Sequence, residues 1–334
     1  MDIILKISQE LMCRQEQVAA AVKLIDEGCT IPFIARYRKE ATGSLNDEQL
    51  RTLDERLTYL RGLEDRKEKV LASIEEQGML TDELKKSILA AETLVAVEDL
   101  YRPYKPKRKT RATIAQSKGL TGLANIISLQ MTNKPIPEEA LAYVSEEKEV
   151  HSAEEAIAGA MDIIAESISD NAEYRTEIRS LTMDKGILMT TAKDPEAESV
   201  YEMYYDFSTP VRKMTGYRTL AINRGEKEKF LSVKIEAPVD EITGYLIRQV
   251  IVRDNPNTND ILRNTITDSY ERLIAPSIER DIRSSLTEAA EDGAIKVFGS
   301  NLKQLLMQPP INGHVVLGWD PAFRTGCKLA VVDA

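Results

Sequence analysis

The residues best placed to do chemistry are cations. From Tyr101 to Arg111 the sequence runs YRPYKPKRKTR, with six basic residues and no acidic one. Arg102, Lys105, Lys107, Arg108, Lys109 and Arg111 can neutralise phosphates, and each phosphate neutralised steepens the salt dependence of binding by about 0.9 log unit on duplex DNA. Tyr101 and Tyr104 can stack on bases or anchor the loop. The competing reading is a solvated basic loop that salt-bridges the acidic remainder of the chain. A second group, Arg36, Arg38 and Lys39, lies on about one helical turn of TIPFIARYRKEATGSL, with Phe33, Ile34 and Tyr37 expected to face the core. Arg224, in Asn223-Arg224-Gly225-Glu226, is a third candidate for touching a phosphate.

Other chemistry is thinly represented. Asp320 ends an apolar run in LGWDPAFRTG, where a carboxylate can hold a divalent metal, but two-metal hydrolysis needs convergent acidic ligands and only Asp333 is near in sequence. A strand-end Asp bonding the following turn is the plainer reading, so no catalytic residue is assigned. The histidines, His151 and His314, have no evident nucleophile partner. Cys13, Cys29 and Cys327 are scattered and form no C-x-x-C, which excludes zinc fingers and disulfide scaffolds and suits a reducing cytosol. No phosphate-binding glycine loop occurs, and no cofactor is expected.

The elements that must position these residues are mainly helical. Val18, Ala21, Val22 and Ile25 follow helical spacing, and Gly28 is placed to stop that helix. Ile31-Pro32 opens a short helix. Asn46 caps a long one reaching about Gln77, with Leu50, Leu53, Leu57 and Leu60 on one face. Thr81 and Ser152 cap later helices. Two prolines keep the basic segment out of a continuous helix, and helical periodicity resumes over 112–130. Residues 1–200 thus read as helical. In 201–310, Thr219–Ile222 and Phe230–Ile235 read as a β-hairpin with Arg224 at its tip, and helices return over 239–308 with a break expected at Pro276. Tyr201, Tyr204, Tyr205 and Phe207 read as core packing at helical spacing. In 311–334, two apolar strands flank a turn. Two strands alone are marginal in water, so they are expected to open a larger domain in a longer protein.

Composition fits this picture. The 334 residues include 43% hydrophobic and 29% charged residues, ordinary for a folded domain, with a net charge of −10. The first 118 residues hold 21 basic and 20 acidic residues, so the acidity lies later and a polyanion-binding face is sought early. No apolar stretch reaches the roughly 20 residues of a membrane span. The expectation is a cytoplasmic protein with no membrane partner.

The segments TIPFIARYRKEATGSL, EDLYRPYKPKRKTRATIA, LAINRGEKE, PSIERDIRSSLTEAAEDGAIKVFGSNLKQLLMQPP and VLGWDPAFRTGCKLAVVD, in this order, resemble the Tex family of bacterial transcription accessory, RNA-binding proteins. The resemblance spans essentially the whole chain. It implies an elongated helical scaffold with helix-turn-helix elements, followed by a YqgF-like domain of RNase H type, helix-hairpin-helix units and an S1 domain. Only the helical part and the first YqgF-like hairpin fall within these residues. Tyr217 stands where the family often has His, and Trp319 where it usually has a small aliphatic residue. The resemblance implies a non-catalytic binder of nucleic acid, RNA more than DNA, with RNA polymerase as a further partner. The alternatives are a metal-dependent RNase H/RuvC-like nuclease through Asp320, or a protein-interaction scaffold built on the long helix.

Overall fold

The computed structural model describes residues 2–107, 109–309, 312–321 and 326–333. In chain order the helices are α1 (Ile3–Glu10), α2 (Gln15–Asp26), α3 (Ile31–Tyr37), α4 (Asp47–Glu76), α5 (Asp82–Ala90), α6 (Leu94–Tyr101), α7 (Arg111–Ser117), α8 (Thr121–Leu129), α9 (Ile136–Leu141), α10 (Ala153–Asp170) and α11 (Ala172–Lys185). Strands β1 (Ile187–Ala192) and β2 (Asp206–Pro210), helix α12 (Gly216–Lys227) and strand β3 (Leu231–Glu236) come next. Helices α13 (Val239–Val250), α14 (Asn259–Asp268) and α15 (Ala275–Leu306) precede strands β4 (Val316–Asp320) and β5 (Lys328–Val332). The chain folds as two units, Met1–Met183 with Ala237–Ile278, and Asp184–Glu236 with Glu279–Ala334.

In the first unit α4 is the spine. The Asn46 carboxamide accepts from Gln49 N at 2.8 Å while the Gln49 side chain accepts from Asn46 N, so the cap is reciprocal. Leu50, Leu53, Leu57 and Leu60 are buried against Ile7, Val18, Ala21, Val22, Ile34 and Leu45. One turn on, Leu63, Val70 and Ile74 pack on Ile88, Val97 and Tyr101. Each such leucine contributes about 1.5–3 kcal/mol by leaving water. Gly28 closes α2 in the left-handed region at φ +82°, as its position predicts.

A second cluster centres on α10, which packs on α7, α8, α9 and α14. Its contact face is built from small residues: Ala156 and Ala160 are fully buried, and a Cβ on Gly159 would meet Leu120 Cδ1 at 2.4 Å. The expected helix over 112–130 is two helices, α7 and α8, parted at Lys118–Leu120.

The second unit corrects the predicted hairpin. Residues 219–222 lie in α12, which follows Thr215, and not in a strand. Thr219, Ile222 and Gly225 are its buried residues, a spacing of three that a four-residue apolar alternation disguises. Strand β3 pairs instead with β1, in an antiparallel sheet of order β2-β1-β3 with Leu188 opposite both Thr209 and Ile235. β1 falls within the stretch read as helical. Tyr201 and Tyr204 are core residues as expected, but they precede and end a single 3-10 turn, and Phe207 sits on β2. α15 docks through Glu279, which accepts from Ile235 N at 2.8 Å, and Arg283, which pairs with Glu226. β4 and β5 form a separate antiparallel pair, the two strands expected there, while most of the expected turn lies outside the described residues.

Pro276 does not break the chain's helical run. Ser269–Ile274 adopts a π-helical turn that joins α14 to α15. A proline ring clashes with the carbonyl four residues earlier, and the wider π turn makes room for it.

Candidate nucleic-acid interface

The basic segment is held at both ends. α6 stops at Tyr101, whose buried ring is tied by a hydroxyl contact of 3.0 Å to Ser73 on α4. Pro103 limits the continuation to one 3-10 turn, Arg102–Tyr104. Gln77, the C-cap of α4, donates to Tyr104 O at 3.0 Å. Thr110 then starts α7 by accepting from Thr113 N at 3.0 Å. Between these anchors the described cations face different surroundings.

Three of them are engaged internally. Lys107 pairs with Asp170 and lies 3.2 Å from Glu166, both on α10. Arg102 Nε stands 3.2 Å from Asp170 Oδ1 without hydrogen-bond alignment. Lys105 is 3.9 Å from Glu98. Burial pushes the Asp170 carboxyl above its usual range against the pull of Lys107 and Arg102. Burial, and then the neighbouring Arg175, push Arg102 down. Lys109 and Arg111 are exposed, and among the described residues Lys109 has no ion pair. Arg111, the first residue of α7, acts at longer range on Asp162 and Asp268. Arg108 lies outside the described residues. The segment therefore has cations tied to α10 and to Glu98, and exposed cations at Lys109 and Arg111.

Asp99 lies just upstream of the strip. It is buried on α6, three residues before Arg102, and accepts from Arg175 Nε at 2.6 Å and from Arg179 at 2.8 Å. Arg175, 1% exposed, also donates to Ser277 Oγ at 2.9 Å. Sequence reasoning missed Asp99, Glu166 and Asp170. The Glu98-Asp99 pair immediately upstream of the strip was the one signal present. The α10 carboxylates, over 60 positions away, gave none.

The second cationic group is entirely exposed. Arg36, Arg38 and Lys39 cluster at the end of α3, beside Glu40, and none has an ion pair among the described residues. Only one of the three residues expected in the core is there. Ile34 is buried, whereas Phe33 is 36% exposed and Tyr37 62% exposed. A seven-residue helix docked on α2 and α4 can bury a single narrow face. The loop behind it is firmly set. Thr42 is fully buried, and its hydroxyl donates to Arg38 O at 3.2 Å. Gly43 and Ser44 turn through the left-handed region at φ +58° and +66°. Gln17 of α2 donates to Gly43 O at 2.8 Å.

Arg224 is not at a hairpin tip. It lies exposed in the last turn of α12, in the second unit. Asp320 ends β4, 72% exposed, with Lys328 Nζ 3.7 Å away across the strand pair. Among the described residues no three His, Cys, Asp or Glu side chains are grouped to hold a metal. Nor, among them, is any helix long and apolar enough to cross a membrane.

Comparison with known proteins places this geometry in a family. The family model for the Tex-like protein N-terminal domain matches residues 1–75, and the Tex central region-like model matches residues 131–298, half of the chain. The chain belongs to the Tex family. It is 50% identical over 331 residues to the uncharacterized Bacillus subtilis protein YdcI, covering 98% of this chain and 46% of that protein. It is 41% identical over 343 residues to the transcriptional accessory protein Tex of Neisseria gonorrhoeae, covering all of this chain and 44% of that one. It is 31% identical over 333 residues to the human S1 RNA-binding domain-containing protein 1, with 94% of this chain and 33% of that protein covered. This Tex-family chain thus spans less than half the length of these relatives.

Proposed function

We infer that the chain is the nucleic-acid-contacting body of a cytoplasmic transcription accessory protein, a non-catalytic scaffold that binds RNA in preference to DNA. The names of the Neisseria and human relatives, transcriptional accessory and S1 RNA-binding, support this direction. The observation that carries it is the exposure of Arg36, Arg38, Lys39 and Lys109, without ion pairs among the described residues, on a protein of net charge −10. Cations left open on an acidic protein attract polyanions locally. Arg111 extends the same contact, and Lys105, more than half exposed beside Glu98, can join it, while Arg102 and Lys107 hold the strip in place. The experiment is RNA binding measured across salt concentrations. Replacing Lys109 and Arg111 with Ala flattens the slope if they meet phosphates, and an unchanged slope removes them from the interface.

We read residues 311–334 as the first hairpin of a YqgF-like, RNase H-type domain, after helical regions at 1–200 and 201–310. Leu317, Trp319, Leu329 and Val331 share one face of the β4–β5 pair and are all more than 60% exposed. So apolar a two-stranded ribbon is marginal alone, which supports its being the edge of a larger sheet.

A further inference from the structure

The exposed rings of α3 have a use that the cations alone do not. Phe33 and Tyr37 stand one helical turn apart with ring centroids 5.3 Å apart and planes tilted by 47°. The Arg38 guanidinium lies over the Phe33 ring, 5.2 Å from its centroid, so three flat π-surfaces are grouped together. Arg36 and Lys39 adjoin this group in sequence, both exposed. Leaving Tyr37 62% exposed and Phe33 36% exposed is costly in water, since exposed aromatic surface forgoes its transfer free energy. The loop that carries Arg38 and Lys39 is locked by Thr42, Gly43 and Gln17, so the group is present before any ligand arrives.

We propose that Phe33 and Tyr37, continued by Arg38, form a stacking platform for unpaired bases, with Arg36 and Lys39 holding the adjoining phosphates. This rests on the nucleic-acid reading above and sharpens it to single strands. Bases inside a duplex keep their faces covered, whereas a single strand offers them. Rings beside cations match such a ligand in both shape and charge. An acidic peptide would satisfy the cations and leave the rings in water.

The test uses this chain with a labelled 20-nucleotide oligouridine and an RNA hairpin of the same length. Phe33→Ala and Tyr37→Ala are each expected to weaken oligouridine binding about 10-fold, without changing its salt slope, because no charge is removed. Hairpin binding stays as in the wild type. Tyr37→Trp, made with Trp319→Phe, is expected to retain binding, and its indole fluorescence to be quenched by the oligonucleotide. Retained hairpin binding by Tyr37→Ala itself shows that its loss on oligouridine is not unfolding. Wild-type oligouridine affinity in both Ala variants overturns the platform, as does an equal loss on the hairpin. So does a Glu-rich 20-mer peptide whose tight binding falls with the same two substitutions. If the ring variants are silent while Arg36→Ala flattens the salt slope, the platform alone fails. If the wild-type chain binds neither RNA, the underlying reading fails with it.

Discussion

At the scale of single residues, Lys107 and Lys109 stand two positions apart and do different work. Lys107 neutralises Asp170, so Lys107→Ala leaves a mostly buried carboxylate short of a partner. We expect a loss of about 1–3 kcal/mol in urea unfolding with the salt slope of RNA binding unchanged. Lys109→Ala should do the reverse. Asp99→Ala removes the carboxylate shared by Arg175 and Arg179 and leaves Arg175 buried. The expected cost is about 3–5 kcal/mol, read as a lower urea midpoint. A milder, pH-dependent effect belongs to Glu10, where the bidentate hydrogen bond from Arg56 holds the carboxyl below its ordinary 4.5. As pH falls, the unfolded chain takes up this proton first. The pair's stabilisation is therefore complete above 4.5 and disappears as pH drops through the lowered folded value. Both side chains are about one-third exposed, so the pair contributes about 0.5–1 kcal/mol. Wild type and Glu10→Gln should differ by that amount in urea unfolding at neutral pH and converge in acid.

At the scale of elements, packing rather than propensity decides the second unit. A Cβ on Gly225 of α12 would lie 2.7 Å from Leu231 Cδ1 and 3.1 Å from the Tyr201 ring. Gly225→Ala should therefore destabilise by about 1–3 kcal/mol despite alanine's better helix propensity, measured by thermal unfolding. Gly225 also shows why the sequence of this region misleads. Asn223-Arg224-Gly225-Glu226 has the composition of a turn, and only the sheet beneath α12 explains a glycine inside a helix. The strand at Leu231–Glu236 was legible from its own alternation, but its partner, β1, lies some forty residues upstream, and distance in sequence carries no pairing signal. By contrast α2, α3, α4, α5 and α10 start or stop where Gly28, Pro32, Asn46, Thr81 and Ser152 say they should, because caps act within a few residues. The basic strip was equally plain. Its division into anchored and open cations was not, since Glu166 and Asp170 arrive from α10. Phe33 and Tyr37 carried a helical apolar spacing that suggested core, and only the docking of so short a helix left them outside.

At the scale of the molecule, net charge and local charge point in opposite directions. An overall −10 repels a polyanion at long range, so binding must come from short-range contacts and must be sensitive to salt. All the open cations on α3 and at the start of α7 belong to the first unit. The second unit supplies Arg224 and the β4–β5 ribbon. This concentrates the proposed RNA contact in the first unit. The measurement that tests this most directly is the salt dependence of RNA binding by the 334-residue chain, compared with a variant carrying Ala at Arg36, Lys39, Lys109 and Arg111. The expected result is a log–log slope shallower by about 0.7 per removed cation on single-stranded RNA. A slope equal to that of the wild type, or a wild-type chain that does not bind RNA, would contradict it.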